Sequence, residues 1–159
     1  MPKYLDFFVN AVTISAIALI TSLSIVAPAL AVTQELQFNT DRGYLIKTTF
    51  SYDESKQPKV IHEQGAGTTQ TIDSMQVSFY KPSGELMARY DNIVDGVAQG
   101  SYFEFNFEPQ TQQLLGNVDL GGESVGEMYL KGEANQELSL IEVEASGAEK
   151  AIARVRKNK

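Results

Sequence analysis

The chain has 159 residues, no cysteine and a formal net charge of −7 at pH 7. That length holds one domain and not comfortably two. The acidity argues against a nucleic-acid partner, whose phosphates must be met by Lys and Arg, and the lack of cysteine leaves the fold to rest on core packing without disulfides.

The first element is a leader. No charged side chain occurs from Phe7 to Gln34. Lys3 and the α-amine form a short basic front, partly offset by Asp6, and an apolar stretch runs from Ala11 to Val26. Pro28 then breaks the helical pattern, and Ala29-Leu30-Ala31 supplies the small-x-small site that a signal peptidase requires. The run is also long enough to span a bilayer, so a retained anchor is the alternative; the Ala-Leu-Ala site after proline favours cleavage after Ala31. Loss of Lys3 and Asp6 together leaves the net charge unchanged. Export without cysteine or an N-x-Ser/Thr acceptor suits a bacterial chain.

Beyond the leader, strand signals dominate. Tyr44, Ile46, Thr48, Phe50 and Tyr52 alternate with polar residues, the period of a half-buried strand. The polar cluster from Asp53 to Pro58 ends it, since proline cannot donate to a ladder. Gly65-Ala66-Gly67 reads as a loop. Met75, Val77 and Phe79 form the next alternating face. Lys81-Pro82-Ser83-Gly84 has type I turn chemistry, and Leu86, Ala88 and Tyr90 follow at period two, which predicts a hairpin. Asp91 to Gly100 reads as a longer connection with room for one helical turn.

Phe103, Phe105 and Phe107 line one face of the next strand, opposite Tyr102, Glu104 and Asn106. Three phenylalanines on one face suit the middle of a core. Leu114, Gly116, Val118 and Leu120 continue at period two towards Gly121-Gly122, and Gly126 to Leu130 is a short strand. A strand from Leu138 to Ala145 is expected to turn through the two-residue loop Ser146-Gly147 and pair with Lys150–Arg156. That register sets Ile141 against Ile152 and Leu138 against Val155; a short terminal helix is the alternative. About eight to nine short strands at such spacing, with no amphipathic helix, mark an antiparallel sandwich or barrel. The segments Phe50–Gln57 and Phe105–Gln112 share an aromatic-x-aromatic-acid pattern, as equivalent strands of two sheets would.

Three stretches resemble a group of exported β-rich proteins of cyanobacteria. They are Thr49-Phe50-Ser51-Tyr52-Asp53-Glu54, then Met75 to Gly84, then Phe103-Glu104-Phe105-Asn106-Phe107-Glu108 with Leu114-Leu115-Gly116. The resemblance spans roughly Tyr44 to Leu120. It implies export, β-structure and a cyanobacterial source, and brings no activity with it. Many members of that group carry a Pro-Glu-Pro sorting segment and a membrane span; the terminal Val155-Arg156-Lys157-Asn158-Lys159 has no such pattern.

Chemistry-bearing residues are sparse. The single histidine, His62, beside Glu63 and a glycine loop, reads as a solvated loop histidine, and no G-x-S-x-G elbow accompanies it. Glu104, Glu142 and Glu144 are the carboxylates considered for glycoside chemistry, each also at home on the exposed face of a strand. Asp91, Asp95 and Asp119 are the acids considered for a loose calcium site; an EF-hand is rejected because Ile93 and Tyr102 stand where oxygen ligands belong. Gly65-Ala66-Gly67 and Gly121-Gly122 lack the helix and Lys of a phosphate cradle. Tyr44, Tyr52, Tyr80, Tyr90, Tyr102 and Tyr129 could line a binding face. The basic end (Lys150, Arg154, Arg156, Lys157 and Lys159) reads as a solvated strand edge, or more sharply as a contact with an anionic envelope surface.

The expectation is therefore a signal peptide over residues 1–31 and one antiparallel β-sandwich, or closely related barrel, over 32–159. Its core is expected to hold Phe50, Met75, Val77, Phe79, Leu86, Phe103, Phe105, Phe107, Val118 and Ile141. The function expected is a non-catalytic binding or structural module of the periplasm or extracellular space, with a glycan or envelope protein as partner. The alternative is a carboxylate-dependent, glycoside hydrolase-like enzyme. No catalytic, cofactor-binding or metal residue is assigned, no cofactor is expected, no membrane span should remain after cleavage, and the oligomeric state stays open.

Cleavage gives the first prediction. Mass spectrometry of the protein from its native host should find Val32 as the N-terminus; an intact Met1 species in the membrane fraction would establish the anchor instead.

Overall fold

In the computed structural model, which describes residues 31–56 and 58–156, regular structure is all β apart from one 3-10 turn at Glu54–Lys56. The leader expected over residues 1–31 lies outside the described residues except for Ala31, the first residue of β1. In chain order the strands are β1 (Ala31–Asn39), β2 (Leu45–Asp53), β3 (Ile61–Gln64), β4 (Gly67–Thr68), β5 (Ile72–Tyr80), β6 (Leu86–Val94) and β7 (Val97–Ala98). They continue with β8 (Glu104–Glu108), β9 (Gln113–Leu114), β10 (Asn117–Gly121), β11 (Met128–Glu133), β12 (Glu137–Val143) and β13 (Glu149–Arg154). One sheet runs β1-β2-β5-β6-β7-β4; the other runs β13-β12-β11-β10-β8-β3, with β9 against β8. All pairings are antiparallel. The two sheets pack as a sandwich and do not close into a barrel.

The inner faces follow from the alternation. Ile46, Thr48, Phe50 and Tyr52 of β2 are buried, as are Met75, Val77 and Phe79 of β5. Facing them are Phe103, just before β8, then Phe105, Phe107, Val118, Leu120 and Leu130. Phe50 meets Phe105 and Phe107 edge-on, with ring centroids 5.0 Å away in each case and interplanar angles of 65° and 78°. The two aromatic-x-aromatic-acid segments thus lie on opposite sheets and face each other. Such edge-to-face pairs add about 0.5–1.5 kcal/mol each beyond their area burial.

Three hairpins share one turn. Thr40–Tyr44, Lys81–Glu85 and Glu144–Ala148 each close a three-residue loop ending in glycine. In each, the first residue's N–H donates to the last residue's carbonyl (2.9, 2.8 and 2.9 Å), and the glycine N–H returns to the first carbonyl. The last of these makes the C-terminal segment a strand and not a helix, and its loop is Ala145-Ser146-Gly147, one residue longer than the two-residue loop expected.

Several expectations need correction. Leu86 is 43% exposed. A bulge between Phe79 and Tyr80 sets Phe79 opposite Ala88 but Tyr80 opposite Leu86, so Leu86 and Ala88 fall on different faces despite their period-two spacing. Ile141 is only half-buried, on the outer face, and Leu138 and Leu140 fill the core instead. It pairs with Ala151 and not Ile152, because a register shift between Leu140 and Ile141 absorbs one residue. The span Asp91–Gly100 is neither helical nor mostly loop: β6 runs on to Val94 and turns at Asp95-Gly96 into β7. Asp95 and Gly96 both have positive φ (48° and 71°), as the type I′ hairpin favoured by Asp-Gly requires. Strand β1, where no element was expected, pairs along its full length with β2.

The second prediction concerns the aromatic wedge. Phe105→Ala should cost about 3–5 kcal/mol in urea unfolding, the usual range for emptying a buried phenylalanine site. A loss under about 1 kcal/mol would place that face outside the core.

Candidate functional site

The outer face of the second sheet carries a row of charged side chains. Outward positions of β8, β10 and β11 set Glu104, Asp119 and Lys131 in one row, since Glu104 pairs with Asp119 and Asp119 with Lys131. One step along, Gly121 pairs with Tyr129. Gly121 has φ +138°, and a Cβ there would lie 2.7 Å from Tyr129 Cα, so no other residue lets the strands approach this closely.

Two ties fix the loop that follows β10. Asn92 Nδ2 of β6 donates to the Gly121 carbonyl (2.8 Å), and the Met128 N–H donates to Tyr90 Oη (3.2 Å). The loop then lies along β12, with Gly126 N–H on the Val143 carbonyl (2.8 Å) and Val143 N–H on the Glu127 carbonyl (2.9 Å). As a result Tyr129 and Val143 are buried although both sit on the outer face.

Between this loop, the β12–β13 turn and Tyr102 lies an open depression of about 340 Å³. Its floor holds Tyr129 and Asp119; Glu123, Lys131 and Glu149 surround them. Lys131 Nζ sits 3.8 Å from Asp119 Oδ2, 3.5 Å from Glu149 Oε1 and 5.7 Å from the Tyr129 ring centroid. Glu123 accepts the Tyr102 N–H (2.7 Å), which holds that residue at the rim with its side chain out. Tyr102 is 73% exposed, the most exposed large apolar side chain among the described residues.

Burial pushes the Asp119 carboxyl up to about 6; Lys131 opposes this, while Glu123, Glu149 and Glu104 add to it. Desolvation outweighs the ion pair because the lysine is far from ideal contact and shared with a second acid. Glu149 goes the other way, held below the usual carboxylate range by the Tyr129 hydroxyl and Lys131. Burial, then Glu149 and Asp119, push the Tyr129 hydroxyl up, so it keeps its proton. That hydroxyl is buried and faces the Glu149 carboxylate, and this interaction raises the tyrosine while it lowers the acid.

Of the residues weighed from sequence, Tyr102 and Tyr129 are brought together here and the other tyrosines are not. Tyr52 stacks on Phe50 in the core and Tyr90 packs on Phe79. Glu104 adjoins Asp119, whereas Glu144 pairs with Lys150 (3.5 Å) on the β12–β13 hairpin. Asp91 accepts from Gln76 (2.7 Å), and Asp95 lies in its turn. Among the described residues no three acidic or histidine groups converge as a metal cage would require. His62 is exposed as expected but lies in strand β3 and not in a loop, because its backbone pairs with Asn106 of β8, whose side chain it also contacts. Arg154 pairs with Glu137 (3.3 Å) and Arg156 Nη2 donates to the Asp41 carbonyl (3.2 Å), so this part of the basic end is engaged within the fold. Lys131, Glu149 and Tyr129's place beside them were not legible. The one signal was the shared parity of Asp119 with Gly121 and of Tyr129 with Lys131.

Asp119 gives a third prediction. Its native carboxyl titrates near 6 against 3.8 in the unfolded chain. The native state therefore holds more protons between those values. The stability this lends is full below 3.8 and is lost as pH rises through 6. Allowing for screening at the open rim, the loss should be about 1–2 kcal/mol. Asp119→Asn should remove that fall from urea-unfolding stability measured between pH 4 and 7; parallel curves for both proteins would refute the assignment.

A scan against protein-family models and searches of curated proteins and of solved structures each found no match to this chain.

Proposed function

We propose that this chain is an exported, non-catalytic module that binds a glycan in the depression on the outer face of its second sheet. The observation that carries this reading is the exposed Tyr102 ring held beside Asp119, Glu123, Lys131 and Glu149. An apolar ring face matches the C–H face of a sugar, and carboxylates with a lysine match its hydroxyls, which both donate and accept. Export is supported by the Ala29-Leu30-Ala31 site after an uncharged run. Among the described residues no helix is long and apolar enough to cross a membrane.

A second reading has one observation of its own. Asp119 is pushed up and Glu149 down, and carboxylates driven apart in this way are what glycoside hydrolysis uses as acid and base. Binding is preferred because Lys131 stands within 4 Å of both carboxylates, where a scissile bond would have to lie.

On a glycan array, residues 32–159 should bind, and Tyr102→Ala should weaken that binding about tenfold or more. Unchanged binding in the variant would remove the depression from the reading. Turnover of a glycoside substrate lost in Asp119→Asn would replace binding with hydrolysis.

A further inference from the structure

Four strands end the two sheets, and three of them are protected. Strands β4 and β3 have two and four residues. Strand β13 has six and displays Glu149, Lys150 and Arg154, charges of the kind that discourage a further strand. Strand β1 is different. It runs nine residues without a bulge against β2, and Glu35 is its one charged side chain. Its inward Val32, Leu36 and Phe38 are only half-buried, and an open cleft of about 690 Å³ lies beside Val32, Tyr52, Pro58 and Pro109.

Hydrogen-bond parity decides what that edge offers. The Thr40 N–H donates to the Tyr44 carbonyl (2.9 Å), so even-numbered residues of β1 bond to β2, and Thr33, Glu35, Gln37 and Asn39 turn their N–H and C=O groups outward. The Asn39 carbonyl is taken by the Arg156 N–H (2.8 Å). Among the described residues no strand pairs with Thr33, Glu35 or Gln37 on this side.

From this edge we infer that the cleaved protein forms a two-fold dimer, in which β1 pairs antiparallel with β1 of a second copy about Gln34 and the two first sheets become one. A second copy is the occupant because its free run has the length and register of the run it meets. Outward groups of both copies meet only when the two-fold axis passes through a residue of β1. Centred on Glu35, the axis would set that carboxylate opposite itself, a like-charge contact. Centred on Leu36, it would bring Thr33 against Asn39, where Arg156 already bonds. Centred on Thr33, it would pair fewer residues. Centred on Gln34, Thr33 of each copy exchanges backbone bonds with Glu35 of the other. Val32 then lies against Leu36 on the inner face and extends the core across the joint. A strand that starts at Val32 stops opposite Leu36, short of Arg156, so the dimer rests on leader cleavage and is independent of the glycan reading.

Sedimentation velocity at rising concentration should show the cleaved protein pass from monomer to dimer. The joint is smaller than the roughly 1,600 Å² of a standard interface, so half-association is expected at about 100 µM. Each copy carries a charge of −7, so added salt should favour the dimer. Thr33→Pro removes an outward N–H that β2 does not use; it should hold the protein monomeric and leave its urea midpoint unchanged. The chain has no cysteine, so single cysteines read the register directly. Gln34→Cys faces itself across the joint and should form a disulfide between copies, whereas Glu35→Cys should not. A protein still monomeric at ten times the expected concentration would overturn the dimer. Dimerisation undiminished by Thr33→Pro, or cross-linking through Glu35→Cys alone, would overturn pairing about Gln34.

Discussion

Phe50 is the contact on which the molecule turns. Its ring enters edge-on between Phe105 and Phe107 from the opposite sheet, and all three are fully buried. With no cysteine to cross-link the layers, packing of this kind has to hold them together. It also sets the parity of every neighbouring strand. Once Phe50 faces inward, Ile46, Thr48 and Tyr52 follow on β2, and Val77 and Met75 follow through the ladder to β5. The second sheet is fixed in the same way from β8, so its outer face is determined by what its inner face must bury.

Polar ties finish what the rings begin. Glu63 of β3 is 5% exposed, and its carboxylate accepts the N–H groups of Gln70, Thr71 and Ile72 at 2.7–3.3 Å. A buried charge is tolerable only with such partners, and here it joins an edge strand of one sheet to the start of β5 in the other. At the far end, Asn92 and Tyr90 reach from β6 to Gly121 and Met128. These bonds place the loop after β10 over the sheet and so create the depression. The outer face would otherwise be a flat polar surface.

The electrostatics of the depression follow from that roof. Asp119 would be an ordinary exposed acid on an open strand. Partly buried in the depression, it loses solvation faster than Lys131 restores favourable interaction, and three further carboxylates raise the cost of its charge. Glu149 lies at the start of β13, more open to solvent, and keeps its charge with help from Tyr129 and Lys131. Two acids sharing one lysine thus differ because of where the backbone places them.

The sequence by itself determined the architecture. Period-two alternation in β2, β5 and β8, the proline and glycine turns, and the absence of helical periodicity follow from side-chain chemistry read over a few residues. The same local chemistry was silent at the bulges. One inserted residue at Phe79/Tyr80 moved Leu86 outward, and another at Leu140/Ile141 displaced the expected partner of Ile141. The Asp95-Gly96 turn was legible in principle, yet the acids around it resembled a loop. The edge strand β1 escaped because its inward residues, Val32, Gln34, Leu36 and Phe38, are only half-buried and include a polar one. The candidate site was decided by tertiary structure alone. Tyr102, Asp119, Lys131 and Glu149 lie far apart along the chain, and only strand pairing and a roofing loop bring them into one depression. A carboxylate's charge state depends on that burial, which no local stretch of sequence encodes.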